Sequence, residues 1–87
     1  MSDGDWQVYI LRCADGTFYT GVTRELARRV KEHNECDKRG ARYTRARRPV
    51  QLIYREPAAD RRAACKREWA IKRLSRKQKA QLAGLAE

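Results

Sequence analysis

Apolar and polar positions alternate over residues 6–13, with Trp6, Val8 and Ile10 on one side and Gln7, Tyr9, Leu11 and Cys13 on the other. A period of two in a stretch rich in β-formers predicts a strand. Ala14-Asp15-Gly16 is a turn signal, and residues 17–20 predict a second short strand that completes a hairpin. The period then changes. Leu26, Ala27 and Val30 form an apolar stripe at helical spacing, which predicts a helix over residues 24–34. Gly21 suits the turn that enters it, Thr23 is a candidate N-cap, and Glu25 in the first turn suits the positive helix end. Residues 37–49 read as a basic connecting loop. Alternation returns over residues 50–55, with Val50, Leu52 and Tyr54 set against Gln51 and Ile53, and predicts a third strand ending near Pro57. A long helix is predicted over residues 59–74, with Asp60 near its start. Ser75 and Gln78 then form a capping box that opens a final helix over residues 76–86. Residues 1–5 read as a polar, frayed start.

The order ββαβαα predicts the α/β class in its α+β form, a small three-stranded, mostly antiparallel sheet flanked by helices. With 87 residues and no repeat, low-complexity tract or linker, residues 1–87 are expected to form one domain with a thin core. The hairpin register decides which side chains share a face. A two-residue turn at Asp15-Gly16 places Tyr19 opposite Arg12 and away from the face of Tyr9. A three-residue turn at Ala14-Asp15-Gly16 places it opposite Leu11, on that face. A joint role for the two tyrosines requires the second register or an equivalent bulge, with Gly16 the natural residue for positive φ.

The formal net charge is +10, with 37% charged residues, which points to a polyanionic partner and most often to nucleic acid. The excess is concentrated: residues 24–48 hold ten Lys/Arg against four acidic residues, and residues 55–79 hold ten against three. Two basic blocks on either side of an apolar strand can meet on one surface. Cys13, Cys36 and Cys65 are odd in number and never spaced C-x-x-C, and there is one histidine, so neither a disulfide framework nor a zinc site is supported. A reducing cytoplasm is the expected location. The apolar residues come in short pieces, with no signal peptide and no membrane-spanning run.

A set of chemically capable side chains remains. Arg29 and His33, four apart, share a helix face just after Tyr19, a candidate phosphate-handling corner. Glu68 falls on the stripe that should face the core, with Ala64 and Cys65 before it and Ile71 after it. A carboxylate there must be paired, protonated or bound to a cation, because burying an isolated charge is very unfavourable. Lys72, four residues on, or a distant arginine meets that need equally well. Singly, each of these residues has an ordinary explanation: strand tyrosines pack in cores and helix arginines are solvated. Together, Tyr9, Tyr19, Arg29, His33 and Glu68 match metal-assisted phosphodiester hydrolysis, in which a carboxylate holds the metal and a cation neutralises developing charge.

Gln7-Val8-Tyr9 and Tyr19-Thr20-Gly21, their tyrosines ten residues apart, resemble the two halves of the GIY-YIG nuclease signature. Residues 27–34 are similar to that family's Arg-x-x-x-His helix. Thr44, with Arg48-Pro49, and Glu68-Trp69 resemble its small stand-alone members and the structure-specific nucleases that cut branched DNA. The match runs in order from Trp6 to about Lys79, and it departs from the usual pattern at Gln7, Val8 and Thr20, which are scaffold positions. The resemblance implies Tyr9, Tyr19, Arg29, His33 and Glu68 as catalytic residues, with Mg²⁺ or Mn²⁺ held by Glu68. One tyrosine would help deprotonate the attacking water. A free phenol has a pKa of about 10, so it needs the metal or Arg29 nearby to act as a base at neutral pH. Arg29 would steady the scissile phosphate, and His33 would orient a tyrosine or the leaving oxygen. Which tyrosine meets the water is left open. Arg28, Lys31, Arg42, Arg45, Arg47 and Arg48 are the expected nucleic-acid contacts. The function expected is a metal-dependent DNA endonuclease of repair or recombination, working with a protein partner that confers specificity. The competing readings are a non-catalytic nucleic-acid clamp and an RNA-associated protein.

Overall fold

In a computed structural model, which describes residues 5–85, β1 (Gln7–Arg12) is the middle strand of an antiparallel sheet of order β2-β1-β3. Its neighbours are β2 (Phe18–Thr23) and β3 (Gln51–Pro57). The sheet carries four helices: α1 (Leu26–Glu35), α2 (Arg42–Arg45), α3 (Arg61–Lys72) and α4 (Arg76–Leu82). The predicted α+β class is therefore the observed one, with α2 in addition. Residues 1–4 of the expected frayed start and Ala86 of the expected last helix lie outside the described residues.

β1 buries both its faces, as the alternation requires. Tyr9, Leu11 and Cys13 pack with Leu26, Val50, Tyr19, Val30 and Leu52 on the side covered by α1. Val8 and Ile10 pack with Ala64, Ile71, Phe18, Val22 and Leu74 on the side covered by α3 and α4. A helix layer thus lies on each face, and β2 is left as an edge between them.

The hairpin adopts the three-residue turn. Leu11 pairs with Tyr19 and Arg12 with Phe18, the Cys13 N–H donates to the Thr17 carbonyl at 2.8 Å, and Gly16 takes φ +85°. The Asp15 carboxylate braces the corner, accepting from the Thr17 N–H at 3.0 Å and the Thr17 hydroxyl at 2.6 Å. Tyr9 and Tyr19 therefore share the α1 face of the sheet.

Several boundaries differ from the sequence reading, each for a physical reason. Gly21 does not make a turn: β2 extends through it to Thr23, opposite Tyr9 on β1. The N-cap of α1 is Glu25 and not Thr23, whose hydroxyl instead accepts the Glu25 N–H at 3.1 Å and bends the chain one step earlier. Residues 37–49 are not all loop, because Arg42–Arg45 close one helical turn around buried Thr44. On β3 the pairing jumps from Tyr54 opposite Ile10 to Leu52 opposite Leu11, so Ile53 is the extra residue of a bulge. Tyr54 consequently joins the Val8–Ile10 face, while Val50 and Leu52 stay on the Tyr9 face. Cys65 is exposed and off the core stripe of α3. Asp60 and Ser75 cap α3 and α4 as expected, the latter as a full capping box.

Candidate active site

The site is built on Tyr9, and Tyr9 is placed by Gly21. The outer end of the Tyr9 ring lies over the Gly21 backbone on the neighbouring strand. A Cβ there would stand 2.5 Å from the Tyr9 Oη and 2.6 Å from its Cζ. Glycine at this strand position is thus demanded by close approach, not by backbone conformation. It lets a side chain rooted in the middle strand extend across β2.

Below the hydroxyl, α1 supplies His33, which is fully buried. The Tyr9 Oη is 2.8 Å from His33 Nε2, and His33 Nδ1 is 2.8 Å from Thr44 Oγ1. The Thr44 hydroxyl spends its one proton on the Ala41 carbonyl at 3.0 Å. It must then accept from Nδ1–H, which leaves Nε2 unprotonated to accept from the Tyr9 O–H. The proton direction along Tyr9, His33 and Thr44 is fixed by that single carbonyl. Arg48 Nε also donates to the His33 carbonyl at 2.7 Å, and the next residue, Asn34, exchanges side-chain hydrogen bonds with the Val50 backbone at 2.7 and 3.0 Å.

The electrostatics follow from burial. Burial pushes the Tyr9 phenol up to about 12, with the Arg29 guanidinium beside the hydroxyl pulling the other way and the Tyr19 and Glu68 charges adding to the rise. Burial, aided by Arg29 and Arg48, pushes His33 down to about 4, so the imidazole is neutral at pH 7. Between those values and the usual 6.5 the unfolded chain binds a proton that the folded chain does not. His33 therefore leaves stability unchanged above pH 6.5 and costs the fold on the order of 3 kcal/mol as the pH falls from 6.5 toward 4. Melting curves at pH 7 and pH 4.5 should show a shallower acid loss in His33→Gln than in the natural chain; parallel losses would contradict the neutral buried imidazole.

The structure gathers four of the five sequence-derived candidates around the Tyr9 hydroxyl and brings the fifth within electrostatic reach. Arg29 is half-buried, and its Nη1 donates to Glu32 Oε1 at 3.2 Å and to the Arg39 carbonyl, which aims the group while leaving its charge beside Tyr9. Tyr19 sets its ring edge-on to His33, with centroids 5.1 Å apart. Glu68 comes from α3, on the far layer. It is not buried: the side chain is 23% exposed and meets Lys72 Nζ at 3.6 Å, the i+4 partner its spacing allowed. Its expected place on the core stripe is thereby corrected to a place at the rim.

A cleft of about 200 Å³ opens where these layers meet, lined by Phe18, Tyr19, Thr20, Tyr43, Lys72 and Lys79. Tyr43 stacks on Tyr19 at 6.1 Å with 27° between planes, and the Arg47 guanidinium lies 3.9 Å above Tyr43. Nothing in local sequence singles out Tyr43 or Lys79, because their role depends on α2 and α4 docking at the β2 edge. The basic candidates divide by partner. Arg47 is held by Asp15 at 3.0 Å, and Arg48 by Asp37 at 2.9 Å, so both tie loops together. Arg45 donates to the Asp37 carbonyl at 2.8 Å, and Arg28 pairs with Glu25 and Glu32 while remaining exposed. Lys31 and Arg42 are exposed.

Among the described residues, no group of three His, Cys, Asp or Glu side chains is arranged to hold a metal, and no helix is long and apolar enough to cross a membrane. Mg²⁺ and Mn²⁺ favour hard oxygen ligands, and Mg²⁺ commonly takes one or two carboxylates while keeping several waters. A lone rim carboxylate such as Glu68 fits that habit.

Residues 5–81 match the GIY-YIG catalytic domain. The UPF0213 protein DP2720 of Desulfotalea psychrophila is 58% identical over 82 residues, covering 94% of this chain and 74% of its own length. The UPF0213 protein VNG_2274C of Halobacterium salinarum is 51% identical over 75 residues, covering 86% and 95%. Among solved structures, protein EF2693 of E. faecalis superposes with a TM-score of 0.58 at 49% identity over 86% of this chain and 78% of that one. The UPF0213 protein BH0048 of Bacillus halodurans gives 0.56 at 40% identity over 91% and 82%. The match over residues 5–81 spans most of the 87 residues, and the chain belongs to the GIY-YIG family.

Proposed function

We propose that the chain is a metal-dependent endonuclease hydrolysing phosphodiester bonds of nucleic acid, DNA first, in repair or recombination. The observation that carries this reading is the oriented Tyr9–His33–Thr44 chain with Arg29 beside the Tyr9 hydroxyl. Tyr9 at a pKa of about 12 is not a stand-alone base at neutral pH. It serves as a relay: its oxygen takes a proton from the attacking water while its own proton passes to His33 Nε2. The water oxygen bonds to phosphorus as the bond to the leaving oxygen breaks. That oxygen keeps the bonding pair and takes a proton from solvent, and His33 later returns its proton through Tyr9. The phosphate's negative charge beside the pair favours the imidazolium, so the relay strengthens when substrate is present. Arg29 neutralises charge that builds on the phosphoryl oxygens. Glu68 would hold Mg²⁺ or Mn²⁺, which supplies Lewis-acid polarisation of the phosphoryl oxygens.

Arg29→Lys keeps the charge but loses the two-pronged fork that matches a phosphate. Cleavage should fall roughly a hundredfold with little change in melting temperature, and near-normal turnover would make Arg29 a solvated surface cation. A second reading, a non-catalytic nucleic-acid clamp or RNA-associated protein, is favoured by the Glu68–Lys72 ion pair, which occupies the carboxylate a metal needs. Incubating the protein with branched, single-stranded and duplex DNA and with RNA, with and without Mg²⁺ or Mn²⁺, separates them. Cleavage only with metal supports the endonuclease, and binding without cleavage in every lane supports the clamp. The free thiols of Cys13, Cys36 and Cys65 suit a reducing cytoplasm.

A further inference from the structure

α3 presents a second basic surface to solvent, outside the cleft lined by Tyr19 and Tyr43. Arg62, Lys66, Trp69 and Arg73 follow at intervals of four, three and four residues, which places them on one helix face, and all four are exposed. Among the described residues, Arg62 and Lys66 have no hydrogen-bond or ion-pair partner, so no carboxylate neutralises them. Between these cations stands Trp69, 62% exposed, against 37% for Tyr43, the other large exposed aromatic. The Arg73 guanidinium lies 4.6 Å from the indole centroid on one side. An indole this exposed, with a cation on one side, has open π-surface. Glu68, one residue earlier, pairs with Lys72, which lines the cleft beside Tyr19 and Tyr43, so the stripe and the cleft adjoin without sharing side chains.

Cations with no acidic partner leave their charge free for an anionic ligand, and an open aromatic face between them suits a flat apolar one. An unpaired nucleotide offers both, as a phosphate and a free base face. A duplex keeps its bases stacked inside, and a convex helix surface bearing one indole cannot reach them. We propose that the Arg62–Lys66–Trp69–Arg73 face of α3 binds an unpaired nucleic-acid strand, with one base stacked on Trp69 and flanking phosphates on Arg62 and Lys66. The face spans ~16 Å along the helix axis, the reach of a few nucleotides. The proposal rests on the nuclease reading only in its further consequence, that the strand lies next to the cleaved phosphate because Trp69 adjoins Glu68.

Fluorescence anisotropy with labelled oligothymidylate and a blunt hairpin duplex, both in EDTA, tests it without reference to cleavage. Trp69→Ala should weaken oligothymidylate binding by roughly five- to a hundredfold, the loss of one stacked base, while duplex affinity changes less than about twofold. Trp69→Tyr, which retains a stacking face, should restore most of the affinity. Arg62→Gln with Lys66→Gln should flatten the salt dependence by about 0.7 per charge removed. An unchanged oligothymidylate affinity in Trp69→Ala overturns the proposal, as does an equal loss for duplex. A change of oligomeric state in Trp69→Ala would also overturn it, making the face a contact between copies of the chain. Absence of cleavage in the metal panel would remove the nuclease reading and leave this binding result standing.

Discussion

Gly21→Ala is expected to abolish cleavage in a chain that still folds. The backbone at Gly21 is not in the left-handed region, which among the described residues only Gly16 and Gly84 occupy, so alanine is conformationally acceptable there. The conflict is with Tyr9, whose hydroxyl and ring carbon would lie 2.5 and 2.6 Å from the new methyl group. A tyrosine ring cannot yield as the end of a lysine would; it must rotate away, which breaks the 2.8 Å bond to His33. That leaves a buried imidazole nitrogen without its donor, and overpacking of this kind costs about 1–3 kcal/mol. For a chain of this length that is a fall in melting temperature of roughly 10 °C. Catalysis should suffer far more, at least about a hundredfold, because the reacting oxygen is displaced. Melting curves and single-turnover cleavage on the same preparations check both halves. Wild-type cleavage in Gly21→Ala would show that the Tyr9 position is unimportant to the reaction.

Glu68→Gln is expected to be equally damaging to cleavage and nearly silent in the fold. It keeps the volume and removes the charge. The ion pair it breaks is partly exposed, with Lys72 52% exposed, and such pairs are worth about 0–1 kcal/mol. Binding to DNA should persist or tighten, because a negative charge near the phosphates has gone. If Glu68 holds the metal, Mg²⁺ or Mn²⁺ raises the melting temperature of the natural chain and not that of the variant, since a ligand that binds only the folded state stabilises it. Equal metal-dependent stabilisation in both proteins would remove Glu68 from the metal site.

Much of this was legible in the chain because local rules and the fold agree. The alternation around Tyr9 gave both faces of β1, and the Ser75–Gln78 box marked the break between α3 and α4. The tyrosine partnership was legible only as a condition, since residues 14–16 permit two registers and tertiary packing selects one. Gly21 was visible as a glycine but not as a cradle: the reason for it lies on another strand, in a ring twelve positions away. Thr44 shows the same limit. A threonine in a basic loop carries no local sign that it fixes a histidine tautomer, because the partners come from α1 and from Ala41. Glu68 was misplaced in depth because helical spacing assigns a face and not a distance from the sheet edge. Arg47 and Arg48 looked like the other loop arginines, and only the positions of Asp15 and Asp37 distinguish them.

The most direct measurement is single-turnover cleavage of a labelled DNA by the natural chain and by Tyr9→Phe, each in Mg²⁺ or Mn²⁺ and in EDTA. Tyr9→Phe keeps the ring over Gly21 and removes the one oxygen that can relay a proton to His33. The natural chain should cleave with metal and not in EDTA, and Tyr9→Phe should be slower by at least about a hundredfold while binding the same DNA. Cleavage by Tyr9→Phe at the natural rate would contradict the relay, and a natural chain inert with metal on every DNA and RNA tested would contradict the nuclease.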